Sequence, residues 1–323
     1  MPALPIKIVI VTAFEPDQGP APGEFRYWRE REELNQRIDF PAGHRPLESD
    51  GKGILGIITG VGAARAASSI MALGLDARFD LTEAYFVIAG IAGIDPGAGS
   101  LGSVVFPQYV VDGTFSHEVD AREIPADWPD GFVPIGKSLP YEQPRADRFN
   151  GDDGIVFRLN PSLVTWAYEL TRNTPLSDSD RMAERRKQFE PAVTAHCPPS
   201  VLRGDELSST TFWHGKLLSQ RARRWVAYQT QELGQYAITG MEDTGMLQSL
   251  TQLASAGRID FARVVILRSA SNFDQQRAGI GAAESLAETR IATYSAYLPA
   301  LENVYRVGKR IIEALLAGAP SLQ

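Results

Sequence analysis

Four stretches of the chain combine side chains able to bind a polar small molecule and act on it. Gly240-Met241-Glu242-Asp243 sets two carboxylates at the opening of a helical pattern. Arg268-Ser269-Ala270-Ser271-Asn272-Phe273-Asp274 closes an apolar run, Arg263 to Leu267, with a polar cluster. Gly90-Ile91-Ala92-Gly93 puts small side chains after another apolar run, and Arg203 to Gly215 crowds hydroxyls beside Phe212, Trp213 and His214. A carboxylate accepts hydrogen bonds from ligand hydroxyls, an amide both donates and accepts, and an aromatic ring covers a flat ligand. Each feature also has a purely structural use. Acids in a first helical turn complement the helix dipole, and the 203–215 segment is equally well a turn with two core aromatics.

Such residues need strand ends to hold them. Residues 6–13, 54–59, 84–89 and 263–267 are apolar runs of the kind found in strands covered on both faces. Ligands of open α/β sheets bind where strands end at their carboxyl side. Gly60-Val61-Gly62 leads into a helix over about 63–78. A third glycine would complete a dinucleotide fingerprint, and position 65 is Arg65 instead. The first strand runs into Phe14-Glu15-Pro16-Asp17. Pro and Asp favour a turn, and Glu15 or Asp17 could alternatively overhang the site. Helices are expected over 24–37, from Asn160-Pro161 onward, near 178–190, from Glu242 to a C-cap at Gly257, and over 283–317 with a break at Pro299. Residues 113–160 are rich in proline and read as loop, of the kind that often lies over a binding site. No linker divides the chain. The expectation is a single α/β domain over residues 1–323, with a loop-rich insertion around 113–160 and a mostly helical one around 161–200.

Bulk properties narrow the function. The 323 residues carry a net charge of −7, which argues against a nucleic-acid-binding face. One cysteine, Cys197, allows no intrachain disulfide. The four histidines are far apart in sequence, so no zinc-ligand spacing arises and no metal is expected. The longest apolar stretches, near 84–94 and 311–319, fall short of the roughly 20 residues that cross a bilayer. Ile6 to Val11 lacks a basic leader and reads as a core strand rather than a signal sequence. A soluble protein is expected, with the compartment left open.

The chain is similar to the purine nucleoside permease family, which itself resembles a branch of the nucleoside phosphorylase and nucleosidase superfamily. The resemblance covers most of the chain. Its points are Thr59-Gly60-Val61-Gly62-Ala63-Ala64, Phe79-Asp80-Leu81-Thr82, Ala89-Gly90-Ile91-Ala92-Gly93-Ile94, Gly102-Ser103-Val104, Asp120-Ala121-Arg122-Glu123-Ile124-Pro125, Trp213-His214-Gly215, Met241-Glu242-Asp243 and Arg268 to Asp274. Their order along the chain carries it. The superfamily resemblance implies a three-layer αβα fold with a twisted mixed sheet flanked by helices, assembled as a homo-oligomer. It implies that Met241 and Glu242 lie under a ribose and that Ser271 and Asn272 contact a purine ring, with Asn where nucleosidases usually carry Asp. It implies that Phe212 and Trp213 stack on the base, and that Ile91, Ala92, Gly93 and Phe273 complete the binding surface.

Cleaving an N-glycosidic bond builds positive charge on the sugar and negative charge on the departing purine. Asn272 can donate a hydrogen bond to a purine nitrogen but cannot transfer a proton. Asp274 could transfer one, or could simply cap a helix. Phosphorylases of the superfamily hold phosphate with a Ser or Thr in the glycine loop and an arginine on the strand before it. Here the loop position is Ile91 and residues 84–89 contain no arginine, so hydrolysis is favoured, with phosphate retained as a possible co-substrate and no other cofactor expected. The hydrolytic relatives orient water with an acid just after the first strand, where Glu15 and Asp17 lie. The expected ligand is a purine nucleoside. The alternative is a soluble nucleoside-binding protein serving transport without chemistry, because a chain without a spanning helix and without the alternating polar-apolar strands of a closed barrel is not expected to form a membrane path itself.

Overall fold

The computed structural model describes residues 2–16, 21–143, 149–150, 154–288 and 296–318. Asp17, a candidate site residue, lies outside them. Among the described residues, eight strands of a twelve-stranded mixed sheet build the site region. They are β1 (Ile8–Thr12), β2 (Ile54–Ile58), β3 (Tyr85–Ile94), β4 (Val104–Phe106), β5 (Tyr109–Asp112), β6 (Asp205–Ser208), β7 (Tyr236–Gly240) and β8 (Val264–Phe273). Four helices matter most here: α1 (Ala63–Leu75), α2 (Lys216–Gln229), α3 (Asp243–Ser255) and α4 (Tyr297–Ala317).

Strand β3 organises the sheet. Along one edge it pairs with β8 in parallel over nearly its whole length. Its other edge is divided. Strand β1 runs parallel to the first half, Ile8–Val11 against Tyr85–Ile88. Strand β7 runs antiparallel to the tip, Thr239 against Gly93 and Ile238 against Ile94. Between these partners Ala89–Ala92 meets no strand on that edge among the described residues. Buried backbone groups need hydrogen-bond partners, and side chains supply them. The Ile91 N–H donates to Glu24 Oε1 at 2.7 Å, and the Ile91 carbonyl accepts from Arg268 Nη1 at 3.3 Å. The fork in the sheet therefore gathers polar side chains where the ends of β1, β7 and β8 converge.

The core follows the apolar runs. Val9, Val11, Val87, Val265 and Ile266 are fully buried, each such side chain stabilising the fold by about 1.5–3 kcal/mol relative to exposure. Helix α4 lays Val304, Gly308, Ile311, Ile312 and Leu315 against β3 and β8. Helix α3 buries Met246, Leu247, Leu250 and Leu253 and packs on α1. There the Ser249 hydroxyl donates to the Ala67 carbonyl at 2.9 Å. Asn160 caps the helix Pro161–Thr171 by accepting from the Ser162 N–H at 2.9 Å.

Several elements depart from the sequence reading. Residues 90–93 are extended strand rather than a glycine loop, because β8 pairs alongside them. Gly90 is needed there for space, since a Cβ would collide with the Arg268 guanidinium crossing above it. The polar run 268–273 likewise continues β8. The helix expected over 24–37 is only Arg26–Arg31, followed by a short strand, Gln36–Ile38. Segment 203–215 contains strand β6. Pro299 does not break the last helix; it sits in the first turn of α4, where a missing N–H leaves no intrahelical bond unmade.

Candidate functional site

A cavity of about 310 Å³ opens at the fork of the sheet. Met241 and Glu242 form one wall, Ser271, Asn272 and Asp274 the opposite one, Ile91-Ala92-Gly93 the floor, and Phe212 and Trp213 a flank. Phe14, Glu24, Val61 and Thr239 complete most of the remainder. Its size falls at the low end of small-molecule sites. Phe212 is 46% exposed and Trp213 is buried, so the flank has one outer and one inner ring.

Glu242 is placed by two helix starts. It is the N-cap residue of α3, where its carbonyl accepts from the Gly245 and Met246 N–H groups, yet its side chain makes no cap bond. The carboxylate instead accepts from the Gly62 N–H at the start of α1 (3.3 Å) and from Arg268 Nη2 (3.3 Å). Burial pushes Glu242 up to about 7; Arg268 opposes the rise, and Glu24 and Asp243 add to it.

Beneath Glu242 lies a buried ionic cluster. Arg268, 1% exposed, forms a two-pronged pair with Asp243, one contact at 2.9 Å from Nε to Oδ2 and the other from Nη2 to Oδ1. It also lies 3.8 Å from Glu24. Burial opposes its charge, while Asp243 and Glu242 hold its pKa well above the ordinary arginine value. Glu24 accepts from the Ala13, Phe14 and Ile91 N–H groups at 2.7–2.9 Å. Burial nonetheless raises its pKa, against Arg268 and those backbone donors. Glu206 is fully buried, and neither of its oxygens has a hydrogen-bond partner among the described residues. Burial and the neighbouring Asp243 carboxylate push it well above the carboxylate range. A neutral Glu206 sharing its proton with Asp243 satisfies that geometry.

The opposite wall is quieter. Asp274 Oδ2 accepts from the Tyr236 hydroxyl (2.7 Å) and the Ser219 hydroxyl (2.9 Å), while the buried Oδ1 has no partner among the described residues. Burial pushes Asp274 up to about 7, with Asp95 adding to the rise. No helix starts at Asp274, so the capping alternative fails. Asn272 donates to the Phe273 carbonyl (3.0 Å) and accepts from the Ser271 hydroxyl (2.9 Å). Asn272 and Asp274 both converge on Gly93, within 3.3 Å and 3.8 Å of where its Cβ would stand.

Ten of the candidate residues thus line one cavity: Ile91, Ala92, Gly93, Phe212, Trp213, Met241, Glu242, Ser271, Asn272 and Asp274. Two described candidates do not. Glu15 faces a separate cavity, accepting from the Phe25 N–H (3.3 Å) and pairing with Arg29 (3.5 Å). Phe273 turns to the far face of β8, its ring centroid 4.0 Å from that of Phe189, because side chains alternate along a strand. Sequence reasoning passed over Glu24, Glu206 and Tyr236. The signal for Glu206 was an acidic pair, Asp205-Glu206, inside what proved to be a fully buried strand. Among the described residues no group of His, Cys, Asp and Glu has the arrangement of a metal site, and no helix is long and apolar enough to cross a membrane.

Known structures share this architecture. A 5'-methylthioadenosine/S-adenosylhomocysteine nucleosidase from Neisseria meningitidis, described in complex with methylthio-immucillin-A, matches with a TM-score of 0.54 over 95% of this chain and 99% of its own, at 18% identity. The corresponding enzyme of Colwellia psychrerythraea, described with adenine, matches with a TM-score of 0.56 over 96% of both chains at 17% identity. That likeness defines the class of fold, an α/β nucleosidase-like architecture with a large mixed sheet flanked by helices. Sequence narrows it: the profile of the family described as "Purine nucleoside permease (NUP)" matches residues 5–319, and the chain belongs to that family. A protein described as a probable purine nucleoside permease of Schizosaccharomyces pombe is 34% identical over 263 residues, 80% of this chain and 74% of that one. The purine nucleoside permease of Candida albicans is 30% identical over 80% of this chain, which spans 63% of the length of that protein.

Proposed function

We propose that the chain binds purine nucleosides in the cavity between Glu242 and Asn272 and cleaves their N-glycosidic bond by hydrolysis. One observation carries the reading. A single cavity joins a buried carboxylate suited to sugar hydroxyls, an amide suited to a base edge, and two aromatic rings. The family and the nucleosidase-like fold agree with it. In this scheme the Glu242 carboxylate accepts from the ribose hydroxyls, and Phe212 with Trp213 flanks the base. Glu24 takes a proton from a water molecule whose oxygen attacks the anomeric carbon. The bond from that carbon to the purine nitrogen breaks, its electron pair leaves with the base, and protonated Asp274 supplies the proton the base needs. An acid with a pKa of about 7 is well matched to that task. Hydrolysis is preferred because the cavity lining holds Glu24 and Glu242, both ionised in this scheme, and no Lys or Arg among the described residues. Such a lining repels a phosphate dianion.

A second reading is binding without cleavage. Asn272 supports it, since an amide at the base edge holds a purine but supplies no proton. The deciding experiment incubates the full chain with adenosine or inosine, with and without phosphate. Free base and ribose formed without phosphate support hydrolysis; base formed only with phosphate overturns it in favour of phosphorolysis. Saturable binding with the nucleoside left intact selects the second reading.

A further inference from the structure

Three of the four polar atoms of Asp274 are engaged. Its N–H donates to the Ile94 carbonyl at 2.9 Å, and its carbonyl accepts from the Gly215 N–H at 2.9 Å. Oδ2 accepts from the Tyr236 hydroxyl at 2.7 Å and from the Ser219 hydroxyl at 2.9 Å. Oδ1 is buried and has no partner among the described residues. Resting on the cleavage reading of the cavity, we infer that Tyr236 and Ser219 are positioning residues: they hold the proton of the neutral acid on Oδ1, the oxygen from which it passes to the departing base.

A hydroxyl has one hydrogen to donate. Tyr236 and Ser219 are both buried, and Asp274 Oδ2 is the acceptor each of them has among the described residues. Turning either hydrogen elsewhere would leave a buried donor unpaired, at the full desolvation cost of that group. Both hydrogens therefore point at Oδ2 and occupy its two lone pairs. A carboxylic acid carries its proton on one oxygen and accepts on the other. With Oδ2 doubly engaged as acceptor, the proton belongs on Oδ1.

The two hydroxyls come from different elements. Tyr236 opens β7, and Ser219 lies in the first turn of α2, so the carboxyl group is held between a strand and a helix. Asp274 lines the cavity, whereas neither Tyr236 nor Ser219 is among the described residues that do. The pair thus acts on the acid from behind. Charged neighbours act on it as well. Burial raises the pKa of Asp274 most, and Asp95 adds to the rise; Tyr236, Ser219 and Arg223 oppose it. Arg223 grips Asp95 with two contacts at 2.6 Å. Tyr236 stays a donor throughout, because burial and Asp274 push its own pKa well above that of a free phenol.

The test is the pH dependence of kcat for base release from adenosine by the full chain, in wild type, Tyr236→Phe, Ser219→Ala and the double variant. A hydroxyl donating to Oδ2 favours the ionised carboxylate, so its loss raises the pKa of Asp274. The alkaline limb should move to higher pH in each single variant and further in the double variant. As the proton divides between the two oxygens, the pH-independent kcat of the double variant should fall by about tenfold, the scale of one neutral hydrogen bond. KM for adenosine should stay unchanged, since neither hydroxyl meets the ligand. Should Tyr236→Phe fail to fold, Ser219→Ala reads the same shift. An alkaline limb that stays in place, or kcat and KM that move together without a shift, overturns the positioning role and leaves the cleavage reading intact. Wild type that binds adenosine and releases no base removes the cleavage reading, and this role with it.

Discussion

Glu206 and Gly240 stand on neighbouring strands so close that a Cβ at position 240 would lie 2.5 Å from Glu206 Oε1. The glycine makes room for a buried carboxyl group, and that group leans on Asp243, the anchor of Arg268. Gly240→Ala should displace Glu206 against a packed ionic cluster, at a cost of about 1–3 kcal/mol, and weaken nucleoside binding by disturbing Glu242 two residues on. Urea midpoints and adenosine titrations check both effects. A variant with wild-type stability and affinity would show that the cluster relaxes freely.

Glu206→Gln tests the protonation of the cluster. The pKa of Glu206 is raised, so the folded state holds a proton that the unfolded chain releases above about 4.5. Stability from that group is present below the unfolded value and is lost as pH rises. Glutamine mimics the neutral acid and donates to Asp243 without that loss. The variant should therefore gain stability relative to wild type as pH climbs from 5 to 9, by up to about 1.4 kcal/mol per pH unit. Thermal melts across that range read it. A constant difference between the two proteins would mean that Glu206 is ionised.

The pH profile of cleavage should be bell-shaped and narrow. Glu242, at about 7, must be ionised to accept from sugar hydroxyls, so activity falls as pH drops through 7. Asp274, also at about 7, must be protonated to act as acid, so activity falls as pH rises through 7. Asp274→Asn should lose about two to four powers of ten in kcat and with it the alkaline limb, while still accepting from Tyr236 and Ser219. An alkaline limb that persists in the variant assigns it to another group.

The central strands were legible because β1, β2, β3 and β8 are uninterrupted apolar runs. Their ends were not. Gly90 and Gly93 in β3, and Ser271 and Asn272 in β8, have turn-forming compositions, yet pairing between two strands far apart in sequence overrides local preference. Strand β6 was hidden for a related reason. Asp205 and Glu206 oppose burial in any local scale, and only remote partners make it tolerable: the Gln108, Tyr109 and Gln235 N–H groups for Asp205, and Asp243 for Glu206. The two walls of the cavity could be proposed from sequence because each is a contiguous stretch carrying its own chemistry. Glu24 could not, because its role comes from Ile91, 67 residues away. Glu15 drew attention by its place after β1, but that place faces Arg29 instead.

Arg268 is the counter-charge of the whole site. Replacing it by Gln leaves Asp243, Glu242 and Glu24 without their shared cation in a buried setting, where breaking such a pair costs about 3–5 kcal/mol. Arg268→Lys should recover little, because a point charge cannot reproduce the two-pronged contact with Asp243 or reach the Ile91 carbonyl at the same time. Denaturant midpoints should place both variants well below wild type. Restoration by lysine would reduce the role of Arg268 to charge alone.

Asn272→Asp addresses the residue on which enzyme and binding protein differ. The new carboxyl group would lie at the base edge, beside Asp274 and facing Gly93, in a partly buried setting. Burial raises its pKa and keeps it protonated into the mildly acidic range, where it can pass a proton to the departing purine. If the wild-type chain hydrolyses slowly for want of an acid at this point, the variant should release adenine from adenosine faster at pH 5–6, by about ten- to a hundredfold, with the gain fading above pH 7 as the acid ionises. Single-turnover release of base at several pH values measures it. A variant no faster at any pH would place the proton donor at Asp274 alone and leave Asn272 as a reader of the base.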